Sequence, residues 1–236
     1  MCPLEGERLL QAWEDAAASD PVRRPLRMLM HAMPEMNAGA LENMSLLRRN
    51  RLLLELYATT FGSTLQGLAI CQSCGSAMEF DSDVEDLLST LPEIDEGEGG
   101  PVHAITSRML LSALQEEDAL SRERLLLSLC TGGDPCDLSA LDESLLEKLR
   151  LNVSVANADA EMCCRIRCAE CGEVNRVDFD PAYFVWLAVR HRASLLMADV
   201  HDIASAYGWT ESSIIAMSSA RREVYLVKIA EERSAA

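Results

Sequence analysis

A mostly α fold with a small β zinc-ribbon-like element, an α+β arrangement, is predicted by three features of this 236-residue sequence. Leucine, alanine and methionine carry the apolar load while aromatics make up only 5%, a mix that favours helices. Helical periodicity fills both ends of the chain, whereas short alternating stretches flank two Cys-x-x-Cys-Gly knuckles. The knuckles stand far apart in sequence, so a ribbon built from them is split by what lies between. The expected organisation is an N-terminal helical region over 1–66 and a split ribbon over 67–180 with a helical insertion at about 92–160. A long helix and a C-terminal helical unit follow over 181–236.

The knuckles are Cys71-Gln72-Ser73-Cys74-Gly75 and Cys168-Ala169-Glu170-Cys171-Gly172. A two-residue spacing turns both sulfurs toward one point, and the glycine permits the backbone turn that offers amide N–H groups to them. Together Cys71, Cys74, Cys168 and Cys171 supply four thiolates, which close a tetrahedral zinc site with no open position and so point to a structural metal. Two independent redox pairs or two disulfides are the other readings; neither knuckle has the βαβ setting of a redox motif. An ungapped offset of 97 residues lays the first knuckle on the second, and also Asp81 on Asp178, Asp83 on Asp180 and Leu87 on Phe184. Each copy reads as strand, knuckle, strand and helix start.

Taken in order, Leu9, Leu10, Trp13 and Ala17 mark an amphipathic helix ending near Asp20-Pro21. A second helix is expected from Pro25 to Met33, stopped by Pro34, with His31 as a packed or partly exposed residue. Ser45 caps a third that runs to Gly62. Its Arg48, Arg49 and Arg51 form a solvated or internally paired face, or else a docking face for an acidic partner. Met78 and Phe80 mark a strand, and a short helix follows through Leu91. Residues 92–101 read as an acidic, glycine-rich loop. The insertion reads as a short strand Val102 to Ile105 and three helices: one capped by Thr106 or Ser107, one closed by Gly132-Gly133, one from about Leu141 through Val153. Cys163 and Cys164 take opposite faces of a strand, and Cys2, Cys130 and Cys136 lack knuckle spacing. A helix of about 25 residues is expected after Asp180-Pro181, carrying His191 and His201 at a spacing that makes no ligand pair. Gly208 breaks it, Thr210 caps a short helix, and Ser218 or Ser219 caps the last. Tyr207 and Trp209 either close this unit's own core or dock a partner.

Charge narrows the function classes. The net charge is −17, and residues 67–189 hold 24 acidic against 8 basic side chains, while both ends are nearly balanced. Such a surface repels phosphate backbones, so nucleic acid is a poor partner for this middle segment, while the two balanced ends leave the question open. The alternative is a zinc-stapled helix-turn-helix, nucleic-acid-binding or regulatory, in which Arg221, Arg222 and Lys228 meet phosphates. No nucleophile motif or phosphate-cradling loop is present, and neither an enzyme nor a small-molecule substrate is expected. No apolar run reaches the ~18 residues of a membrane span, and no export signal opens the sequence. With nine cysteines, an odd number, metal ligation in a reducing cytoplasm is expected rather than a disulfide framework.

Three stretches carry a family resemblance: Leu47-Arg48-Arg49-Asn50-Arg51 running to Phe61-Gly62, the two knuckles, and Ala206-Tyr207-Gly208-Trp209 with Met217-Ser218 and Arg221-Arg222 behind it. In that order they resemble phage baseplate hub assembly chaperones and baseplate proteins, with relatives in bacterial contractile injection systems. Gln72 and Ala169 stand where those relatives often have proline, which leaves the ligands intact. The resemblance implies a non-enzymatic structural or assembly protein of the baseplate or hub. Its partners would be baseplate or hub proteins, and it would be cytoplasmic or incorporated into an injection particle.

Overall fold

In chain order the helices α1 (Gly6–Ala17), α2 (Arg23–Ala32), α3 (Ala38–Asn43) and α4 (Leu46–Phe61) lead into a hairpin of β1 (Thr64–Ile70) and β2 (Ala77–Asp83). Next come α5 (Val84–Thr90), α6 (Ser107–Ala113), α7 (Ala119–Thr131) and α8 (Glu143–Ala156), with one 3-10 turn at Ala158–Ala160. A second hairpin, β3 (Met162–Arg167) and β4 (Val174–Phe179), opens into α9 (Pro181–Tyr207), α10 (Glu211–Ile215) and α11 (Ser219–Ala235). This is a computed structural model, and it describes residues 1–92, 102–133 and 142–235. Among the described residues the fold is mostly helical with two small antiparallel hairpins, as composition and periodicity predict. No helix among the described residues is long and apolar enough to cross a membrane.

Several helices start where a side chain satisfies a free backbone N–H, and α4 stops at a glycine. Ser45 accepts from Arg48 N–H at 3.2 Å and Gly62, at φ 102°, ends α4; Asp180 accepts from Ala182 N–H at 2.9 Å ahead of Pro181. These are the expected caps. The six-residue α3 is not anticipated, because it is shorter than two turns and leaves no periodic trace; Asn37, accepting from Ala40 N–H at 2.8 Å, was its one signal. Val102 to Ile105 is not the expected strand. Its backbone groups find other partners: Ile105 N–H donates to Asn157 Oδ1 at 2.7 Å, Ile105 C=O accepts from Leu46 N–H at 2.9 Å, and His103 N–H donates to Cys130 C=O. With those bonds made, no ladder is needed.

Both ends of the chain share one core. Along α9, Val185, Trp186, Val189, Ala193, Leu196, Val200 and Ile203 repeat at helical spacing, and they pack with Leu9, Leu29, Leu41, Leu53 and Leu56 from the first four helices and Ile214 and Ile229 from the last two. The Arg24 guanidinium lies 4.8 Å above the Trp186 ring. Tyr207 and Trp209 close this core rather than projecting from it: their rings stack at 4.9 Å, and Tyr225 meets Trp209 edge-on at 4.9 Å. His31 Nε2 sits 2.8 Å from Asp15 Oδ2 across α1 and α2. The arginines of α4 do not act as one patch, since Arg49 is buried with its guanidinium on Asn50 Oδ1 and Arg51 donates to Leu88 C=O.

The described part of the insertion is helical, with Leu127, Cys130 and Val153 at its centre and Arg150 bridging Glu123 and Glu143 at 2.7 and 2.6 Å. The acidic loop expected at 92–101 falls, beyond its first residue, outside the described residues, as does Cys136.

Candidate metal centre

The 97-residue offset read from the sequence is realised in space. Offset by 97, β1 and β2 fall on β3 and β4 within a residue, and the caps Asp83 and Asp180 both start helices. Leu87 and Phe184 pack against one cluster formed by Leu54, Leu65, Val84, Leu91 and Phe179. The copies exchange bulk: Gly67 lies opposite Phe80, whose Cζ would be 2.1 Å from a Cβ at that glycine, whereas the equivalent pair is Cys164 opposite Val177. One hairpin thus fills this inward cross-strand position with a ring laid over a glycine, the other with two small side chains.

At the tip of each hairpin the chain makes the same turn. Cys71 N–H donates to Ser76 C=O at 2.9 Å and Gly75 N–H to Cys71 C=O at 2.9 Å; Cys168 N–H donates to Glu173 C=O at 2.8 Å and Gly172 N–H to Cys168 C=O at 3.0 Å. Gly75 and Gly172 adopt φ of 75° and 76°, a region that a side chain resists. The first cysteine of each knuckle, Cys71 and Cys168, is buried among Met78, Ala69, Ile166 and Val177, and the second, Cys74 and Cys171, faces solvent.

The two knuckles meet. Cys71 Sγ lies 3.6 Å from Cys171 Sγ and Cys74 Sγ 3.6 Å from Cys168 Sγ, and all four ligand atoms fall within 4.8 Å of one another. A disulfide needs about 2.05 Å, so these sulfurs are not joined to each other. A tetrahedron with metal–sulfur distances of about 2.3 Å has edges of about 3.8 Å, and the cluster fits it. All four residues singled out by spacing are therefore brought to one point, as the donor set of a structural zinc site. A four-thiolate tetrahedron leaves no position for a substrate.

Electrostatics make the same demand. Backbone N–H of Cys74, aided by Ser73 N–H and the Asn175 amide, draws the Cys71 thiol down to about 6 against the burial that opposes it. Although Glu173 N–H favours its thiolate, Cys171 is held up to about 11 by the neighbouring Cys74, by desolvation, and by Cys71 and Cys168. Cys74 is drawn down as well, by the Ser76 hydroxyl and backbone N–H, so it is the further charge at Cys171 that the crowded sulfurs resist unless a cation lies among them.

One residue that spacing alone does not reveal ties the halves together. Asn175 is buried on β4; its Oδ1 accepts from Gln72 N–H at 2.9 Å, and its Nδ2 donates to Glu173 C=O at 3.2 Å and to Cys71 Sγ at 3.4 Å. Its offset partner is Met78, whose Sδ lies 3.6 Å from the same Nδ2. The signal was a polar residue at a position that strand alternation makes inward-facing. The remaining described cysteines stand apart from the centre: Cys130 in the insertion core, Cys163 exposed and Cys164 half-buried on β3, and Cys2 beside the end of α2.

Fold and site together define a helical protein whose split hairpins are stapled by a closed four-cysteine metal centre. Compared with known proteins, the chain matches no protein-family model, no curated protein and no solved structure.

Proposed function

We propose that this protein is a non-enzymatic structural or assembly component that works through protein–protein contacts, and that its setting is the baseplate or hub of a contractile injection particle. The observation that carries the first part is the closed metal centre: it joins residues nearly a hundred positions apart and offers nothing to a substrate. The particle setting rests on the resemblance of the α4 stretch, the knuckles and the Gly208 turn. The helix-turn-helix alternative loses one of its contacts, since Arg222 is buried, donates to Met217 C=O at 2.6 Å and faces Asp199 at 3.5 Å.

Mass spectrometry of tagged protein purified from cells making such a particle tests the reading. Baseplate or hub proteins recovered in stoichiometric amounts are expected. Their absence from both the free pool and assembled particles, with duplex DNA bound in a salt-sensitive manner instead, would replace this reading with the alternative.

A further inference from the structure

The two hairpins turn their inner faces, Leu65, Ala69, Met78 and Phe80 against Met162, Ile166, Val177 and Phe179, into shared apolar clusters. Their outer faces are left to solvent, and the two differ in chemistry. On the first hairpin Leu68 and Ile70 are 64% and 60% exposed, beside the exposed Glu79 and Asp81. On the second, Arg165, Arg167, Val174 and Arg176 are all exposed. At the 97-residue offset Leu68 corresponds to Arg165, Ile70 to Arg167 and Glu79 to Arg176.

The arginine face is unusual for this chain. Three of the eight basic residues in the acidic 67–189 segment lie on it. Arg165 sits directly across the ladder from Arg176, and like charges in that relation destabilise a hairpin. Arg176 meets only Asp178, at 3.7 Å and with both side chains largely in water, and Arg167 donates to Gly172 C=O. These are weak compensations.

We propose that a second copy of this chain covers both surfaces, the outer face of the β1–β2 hairpin in one copy lying on the outer face of the β3–β4 hairpin in the next. Glu79 and Asp81 then face Arg165 and Arg176, while Leu68 and Ile70 are covered by Val174 and the aliphatic stems of the arginines. A nucleic acid or an acidic peptide would satisfy the arginines alone and leave the two apolar residues in water. A second copy accounts for both faces. The contact joins unlike surfaces on opposite sides of the paired hairpins, so each added copy presents a fresh face and assembly proceeds to a ring or a short filament. Each face is one side of a two-stranded hairpin, and a contact that small belongs to concentrated solutions rather than to a permanent complex. None of this depends on the baseplate reading.

Sedimentation velocity of the full, zinc-loaded chain tests the proposal. The average mass is expected to rise with concentration in low salt and to fall toward the monomer in high salt. Arg165→Glu with Arg176→Glu, and separately Glu79→Arg with Asp81→Arg, should each lower the association constant by about tenfold or more. An equimolar mixture of the two variants should restore it, because each then supplies the charge the other lacks. A wild-type chain that stays monomeric throughout the range overturns the proposal. So does association that survives in both variants, or a mixture that fails to associate although each variant melts like the wild type. A monomeric wild type that binds duplex DNA through Arg165 and Arg176 would assign the arginine face to phosphates and overturn it equally.

Discussion

Asn175 serves three groups with one amide: a knuckle N–H from the opposite half, a ligand sulfur and a carbonyl of its own turn. Groups that orient metal ligands contribute strongly to affinity, and Asn175→Ala should weaken zinc binding by about 10–100-fold, measured by competition with a chromophoric chelator. Unchanged affinity would reduce Asn175 to a packing role. Gly67 makes a different demand, because Phe80 occupies the space of any side chain there. Gly67→Ala should cost about 1–3 kcal/mol in denaturant melts. Adding Phe80→Val, which imitates the smaller cross-strand residue of the other hairpin, should make the double variant less unstable than the sum of the single losses.

At the level of elements, the hairpins hold few apolar side chains of their own and depend on the centre that joins them. Removing the metal with a strong chelator should expose backbone amides of residues 64–83 and 162–179 to hydrogen exchange well before those of 185–203, which the main core covers. Equal loss of protection across the chain would contradict this. The same division explains what was readable beforehand. Caps such as Ser45, Asp180 and Thr210, and stops such as Gly62 and Gly208, act within a few residues of themselves, and the helices they bound were legible. The four ligands were legible because tetrahedral thiolate chemistry dictates a local spacing. Val102 to Ile105 was misread because its partners, Asn157, Leu46 and Cys130, come from three other elements. The fate of Arg49 and Arg51 was hidden for the same reason: adjacent basic residues were sent to Asn50 and Leu88, one inward and one across to α5.

Across the whole molecule, the first and last quarters of the chain form one packed body, with α9 lying against α1, α2 and α4. Ile203, fully buried between them, is a test of that unity. Ile203→Ala should cost about 2–5 kcal/mol, and probes at Trp13 and Trp209 should report the same melting midpoint, because neither end has a core to itself. Separate midpoints would show two independent bodies. The long span between the knuckles also bears on how the protein is made. Cys74 leaves the ribosome 97 residues ahead of Cys171, which at ordinary rates of synthesis is a delay of about 5–20 s. For that interval the nascent chain carries half a ligand set, two sulfurs with no counterparts, open to stray metals and oxidants. Loading of the centre is therefore a late event in the birth of each molecule, and it certifies that everything between the two knuckles has already been synthesised.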